Sequence, residues 1–124
     1  MGTTAETDLV QTWHQVLDRH ARVMGALEHA LAEHQLGVSE YEVLEALADE
    51  SEAGCRMHDL AGSSHLSQSA LSRVVGRLEN DGLVQRTMCA NDRRGIYANI
   101  TDEGRARLEA ARPAHRAVLE RELG

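Results

Sequence analysis

The chain has 124 residues, 20 acidic against 13 basic for a formal charge of −7, and 42% hydrophobic content without a single phenylalanine. That length suits one domain, residues 1–124, with a real core but close to the size at which assembly adds stability. No apolar run reaches the roughly eighteen residues a membrane span needs, the N-terminus lacks a basic and apolar leader, and Cys55 and Cys89 are too few for a disulfide scaffold, so a cytoplasmic protein without membrane contact is expected.

All the basic residues are arginine, which fits a codon bias better than a function. The negative total argues against a nucleic-acid partner until its distribution is considered. Residues 1–52 hold eleven acids against Arg19 and Arg22, a net of −9. Residues 63–97 hold five arginines against Glu79, Asp81 and Asp92, a net of +2. Phosphate attraction falls off over roughly 8 Å at physiological salt, so the local surface outweighs the sum.

Taken in order, residues 1–7 are expected to fray. From Asp8 to His34, Leu9, Val10, Trp13, Val16, Leu17, His20, Val23, Met24, Leu27 and Leu31 recur at three- and four-residue steps, which predicts one long helix over 8–34. A helix that outruns so small a globule packs on another subunit or lies across the domain as a strut. Gln35-Leu36-Gly37 ends it, and Ser39-Glu40-Tyr41-Glu42 is expected to be the capping box of a second helix with Val43, Leu44, Leu47 and Ala48 inside. After a polar stretch, Cys55-Arg56-Met57 fits a short strand and His58 to Ser64 a brief helix with Leu60 and Ala61 buried.

Ser67 is a good N-cap for the next helix, which stops at Gly82. Its Leu71, Val74, Val75 and Leu78 form one apolar stripe, and the opposite face carries Ser69, Ser72, Arg73, Gly76 and Arg77. That face is small, hydroxylated and cationic. Residues 83–89 and 95–101 then read as short strands around a turn holding Asp92, Arg93 and Arg94. A helix followed by a basic-tipped hairpin is a winged helix-turn-helix, which points to DNA. Thr101-Asp102-Glu103-Gly104 opens a last helix, 102–124, with acids in its first turn where the dipole favours them. Pro113 is expected to kink or interrupt it, and Leu108, Val118, Leu119 and Leu123 are its expected apolar contacts. The fold class is therefore mainly α: a winged helix-turn-helix with a small antiparallel β wing and long flanking helices.

With that order in hand, the chain resembles the MarR family of bacterial transcriptional regulators from about residue 9 to its end. The resemblance is densest in LSQSALSRVVGRLENDGLVQR, in Asn91-Asp92-Arg93-Arg94-Gly95 and in Ile100-Thr101-Asp102-Glu103-Gly104. It implies a homodimer, with 8–34 and 102–124 as dimerisation helices, placing two recognition helices in successive major grooves of a pseudo-palindromic operator. It also implies that Asp92 pairs with Arg73 or Arg77 to fix the wing, and that Arg94 enters the minor groove. Ser67, Gln68, Ser69, Ser72, Arg73, Arg77, Asp92, Arg93 and Arg94 are thus the candidate DNA-binding residues. Ser69 and Ser72 suit phosphates or base edges; Gln68 suits an adenine edge or a phosphate; Arg94 suits a narrow A·T-rich minor groove. Arg86, on the strand, is open to pairing with a nearby acid. The family's usual further helix would begin about where the sequence ends. Either the first helix and the end of the last one carry the dimer, or the sequence as given is shortened.

Many relatives release DNA when a small aromatic or lipophilic ligand enters the crevice between the dimerisation helices and the DNA-binding lobe. By that resemblance the crevice would be lined by Trp13, Val16, Leu17 and His20 on one side and Tyr41 and Glu45 on the other, types that also suit plain core. A cysteine-based redox reading rests on Cys89 beside Arg93 and Arg94, since cations favour the thiolate. A disulfide to Cys55 is not expected, because the two positions should lie at different ends of the hairpin. Structural zinc needs four ligands, and the seven histidines offer no such set, so neither metal nor cofactor is expected. No nucleophile–base constellation or phosphate-cradling glycine loop appears, and an enzyme is not expected. The expected function is sequence-specific repression from an operator. The alternatives are a redox-sensing regulator and a winged-helix protein–protein module, and the Asp-Arg-Arg tip argues against the latter.

Overall fold

Five helices and three strands make up the computed structural model, which describes residues 3–50, 54–89 and 92–124, with Cys89 and residues 92–94 described through the backbone alone. In chain order they are α1 (Thr4–Ala32), α2 (Val38–Ala48), β1 (Cys55–Arg56), α3 (Met57–Ser63), α4 (Gln68–Asn80), β2 (Val84–Cys89), β3 (Asp92–Ile100) and α5 (Asp102–Leu123). This is the expected mainly α winged helix-turn-helix. One core joins all five helices and the base of the sheet, with Leu31, Tyr41, Leu44, Leu60, Leu71, Leu78 and Leu108 fully buried. Leucine fills the role that phenylalanine plays in many domains of this size. No helix among the described residues is long and apolar enough to cross a membrane.

α1 begins at Thr4 rather than Asp8, because the Thr3 hydroxyl accepts from the Glu6 amide and caps a turn expected to fray. The start of α2 also differs from expectation. Gly37 is the N-cap, not Ser39, and Glu40 reaches back to accept from the Gly37 amide at 3.0 Å, half of a capping box shifted along the chain.

Three helices stop by the same device. The amides of Leu36, Leu66 and Leu83 reach back five residues to the carbonyls of Leu31, Ala61 and Leu78, and the amide before each reaches back only three, to Ala32, Gly62 and Glu79. This is the Schellman arrangement, with an apolar residue clamped over the helix end. It needs a left-handed residue at the turn, here Gln35 (φ 57°), His65 (φ 56°) and Gly82 (φ 76°).

The sheet order is β1-β3-β2, antiparallel throughout. Val84, Arg86 and Met88 face Ile100, Ala98 and Ile96, and the register then shifts so that Cys89 meets Asp92. The inner face is buried at its base, where Val84 and Ala98 lie, and open at its far end, where Met88 and Ile96 are exposed. Thr101 closes the wing: its hydroxyl donates to the Gly82 carbonyl at 2.7 Å and accepts from the Gly104 amide at 3.0 Å. Gly104 sits so close to the Leu83 carbonyl and Ile100 that a Cβ would collide with both.

α5 runs unbroken through Pro113 instead of being interrupted. The proline is exposed, so the carbonyl its missing N–H leaves open can be hydrated. Leu108 and Val118 are buried and Leu119 is half-buried as expected, while Leu123 remains 49% exposed at the helix end.

Candidate nucleic-acid interface

α4 is the element the rest positions. Ser67 caps it by accepting from the Ala70 amide at 3.1 Å. Leu71, Val74, Val75 and Leu78 bury one side of the helix. The opposite side leaves Ser69, Ser72, Arg73 and Arg77 exposed, with Gly76 half-buried. The predicted stripe and the predicted cationic face are thus on the sides expected of them.

Two contacts flank this face, one of them the pairing of Arg86 with an acid that its place on the strand left open. Arg86 crosses from β2 onto α4, pairing its Nε with Glu79 Oε1 at 2.6 Å and donating from Nη2 to the Ser72 carbonyl at 3.3 Å. It lies over Gly76, where a Cβ would meet the guanidinium at 3.9 Å, so the space at Gly76 is filled by this arm of the wing. Gln68 turns its side-chain amide towards α3, 3.3 Å from His58 Nδ1 and 3.5 Å from the His58 carbonyl. No spacing rule links positions 58 and 68, or 72 and 86; only the folded turn and hairpin bring them together.

The wing is present as a hairpin, with β2 and β3 pairing to its tip. The expected roles of Asp92 as brace and of Arg94 as minor-groove probe, and the DNA contact expected of Arg93, fall on side chains outside the described residues, and so does the thiol of Cys89. By backbone register Cys55 pairs with Ala98 near the base of β3, while Cys89 pairs with Asp92 at the tip. The Cys55 thiol is buried and free, and burial, with Glu50 and Asp59 nearby, pushes it up to about 11, which makes it a poor nucleophile at neutral pH. No group of three His, Cys, Asp or Glu among the described residues could hold a metal ion.

The residues expected to line a ligand crevice are not brought together within one chain. Trp13 and Leu17 are 57% and 41% exposed on the first half of α1, next to exposed Leu9, Val10 and Val16. His20 borders a shallow recess with Val16, Val23 and Leu123. Tyr41 is instead fully buried between α2 and α5, its hydroxyl donating to Glu45 Oε2 at 2.8 Å and its ring stacked on His115. Glu45 also accepts from Arg116 at 2.7 Å and Arg112 at 3.4 Å. Burial alone would raise the Glu45 carboxyl, but the hydrogen bonds from Tyr41 and Arg116 outweigh it and hold the group below its ordinary value. Burial and then Glu45 push the Tyr41 hydroxyl well above the usual phenol range. His115, 3% exposed, has Arg116 Nη1 2.6 Å from its Nδ1 and Glu42 Oε1 3.2 Å from its Nε2. A guanidinium can only donate, so Nδ1 accepts and the ring proton sits on Nε2, facing Glu42.

Comparisons with known proteins agree with this geometry. The sequence model described as the MarR family matches residues 34–95. The repressor YetL of Bacillus subtilis is 28% identical over 81% of this chain, and the aligned part spans only 60% of that relative's length. Among solved structures, Sco3205 of Streptomyces coelicolor, a MarR family transcriptional regulator in complex with DNA, superposes with a TM-score of 0.88. It is 31% identical and covers 99% of this chain and 76% of its own. CouR of Rhodococcus jostii, bound to p-coumaroyl-CoA, is 32% identical with a TM-score of 0.77, covering 87% of this chain and 76% of its own. A helix-turn-helix with its polar helix face open, a paired wing and these matches lead to one assignment. The chain belongs to the MarR family.

Proposed function

We propose that this protein is a transcriptional regulator that binds a pseudo-palindromic DNA operator as a homodimer and represses from it. The observation that carries the reading is the exposed face of α4, where Ser69, Ser72, Arg73 and Arg77 stand clear of a buried leucine–valine stripe. Small hydroxylated residues admit the helix to the major groove, and the arginines supply phosphate or guanine contacts. Sco3205, with the same fold and in complex with DNA, supports DNA as the partner. Asp92 as brace, Arg94 in the minor groove and Arg93 as a further DNA contact complete the interface in this reading.

The dimer is supported by α1. Its apolar face is covered by the chain's own core at Leu27 and Leu31 but bare at Leu9, Val10, Trp13, Val16 and Leu17. A second copy would cover the bare half. A small aromatic effector that releases the DNA then has Trp13, Leu17 and His20 as candidate contacts, while Tyr41 stays buried between α2 and α5 within one chain; CouR bound to p-coumaroyl-CoA supports ligand binding in this fold. The redox alternative rests on Cys89 alone, because the buried Cys55 thiol is pushed up to about 11.

Selection of bound genomic fragments at defined salt tests the central reading. Recovery of a common inverted repeat, lost in Ser72→Glu and weakened in Arg94→Ala, is the expected result. No enrichment over input, or full binding by Ser72→Glu, would assign the recognition face elsewhere. Val16→Glu tests the dimer: sedimentation should show it monomeric where the wild type is dimeric.

A further inference from the structure

The contact between Gln68 and His58 fixes more than the angle between α3 and α4. The His58 carbonyl can only accept, so the Gln68 atom 3.5 Å from it is the amide nitrogen, not the oxygen. The same nitrogen lies 3.3 Å from His58 Nδ1 and donates its second hydrogen there. Nδ1 therefore offers a lone pair, and the ring proton is on Nε2. His58 is exposed, so this Nε2–H is presented to the outside of the molecule. Gln68 and Ser72 are four residues apart on α4, about 40° around the helix at 3.6 residues per turn, so the imidazole borders the flank of the recognition face.

We propose that His58 is a phosphate-binding residue of the DNA interface, donating Nε2–H to a backbone phosphate while Gln68 holds its ring in the required tautomer. The proposal deepens the DNA-binding reading and rests on it. It gives Gln68 a role distinct from the base or phosphate contact expected of it, that of an orienting group. The first helix of a helix-turn-helix crosses the phosphate backbone as the second enters the groove, and α3 carries His58 in its first turn. A hydrogen bond to a charged acceptor is among the stronger ones, so the contact has a measurable share in affinity.

The test uses the full chain, a duplex recovered from the genomic selection, and fluorescence anisotropy at fixed pH and salt. His58→Ala removes one such contact in each half-site and should bind about a hundredfold more weakly, about tenfold per contact, the lower end for a hydrogen bond to a charged group. His58→Gln, which restores a donor near the Nε2 position, should recover most of that loss. Phosphates of the duplex are then replaced one at a time by neutral methylphosphonates. The wild type should lose affinity at one symmetry-related pair of positions, one in each half-site, where His58→Ala loses nothing further, and both should lose alike elsewhere. If His58→Ala binds like the wild type, or is weakened but shows the same losses at every phosphate, the proposal is overturned. Ser72→Glu in the same assay separates the two claims. Binding by that variant would remove the recognition face itself, and the role of His58 with it.

Discussion

Tyr41 and His115 stack face to face, ring centroids 4.1 Å apart and planes 18° from parallel, joining α2 to the long helix α5. In a core made mostly of aliphatic side chains, this pair carries polar atoms inward, and each is matched: the phenol to Glu45, the imidazole to Glu42 and Arg116. Such a seam tolerates little loss of a partner, because the low dielectric that strengthens each bond also penalises each vacancy.

Tyr41→Phe keeps the stack and deletes the hydroxyl that donates to Glu45. The expected cost is about 1 kcal/mol, one net hydrogen bond, since Arg116 and Arg112 still satisfy the carboxylate. Chemical denaturation with unchanged m-value checks it; a loss beyond about 3 kcal/mol would mean that the ring itself had shifted.

Glu45 should make part of the stability depend on pH. Its folded carboxyl is held below the ordinary value of 4.5, so the unfolded chain takes up the proton first as pH falls. The contribution is present in full above about 4.5 and is lost as pH drops through the lower folded value. Glu45→Gln is therefore expected to be less stable than wild type at pH 7 and to show a shallower decline on acidification. Parallel acid-denaturation curves for the two proteins would refute this.

Gly82 and Gln35 occupy equivalent left-handed turns, and a substitution by alanine should separate them. Gly82→Ala adds a Cβ where φ is 76° and is expected to cost about 1–2 kcal/mol. Gln35, at φ 57°, already bears a Cβ, so Gln35→Ala should change stability by less than about 0.5 kcal/mol. Paired thermal melts decide the matter.

The buried thiol gives a fourth expectation. In a Cys89→Ser background, Cys55 should resist a disulfide reagent at pH 8 in the folded protein and react at once in denaturant, because burial pushes its thiol up to about 11. Rapid reaction without denaturant would show the base of the sheet to be open.

Much of this was legible before folding. The stripe Leu71, Val74, Val75 and Leu78 announces itself by spacing, and Ser67 and Thr101 sit where caps are expected. The rule that failed at Ser39 failed for a local reason. A glycine with Glu40 three residues on serves the same helix end as a serine would, and the burial of Val38 draws the start back to Gly37. The stops of α1 and α3 fall close to where they were expected, but their left-handed turns at Gln35 and His65, a conformation usually marked by glycine, carry no sequence signal. What no periodicity could supply were contacts between distant positions: Gln68 with His58, Arg86 with Glu79 and Ser72, Tyr41 with His115. Each pairs a residue on one element with one on another, and only the packing chooses among the many arginines and histidines available.

The division of α1 into a covered and a bare half has a mechanical consequence. The helix is gripped by the core at Leu27 and Leu31, while Leu9 stands eighteen residues before Leu27, about 27 Å away at 1.5 Å per residue. A tilt of about 5° at the grip therefore swings the far end by roughly 2–3 Å. In a dimer clasped along the bare half, the distance between the two copies of α4 would follow that tilt. Trimming a single methylene at Leu27 or Leu31 would then alter which half-site spacing is accepted, far from any residue that touches a base.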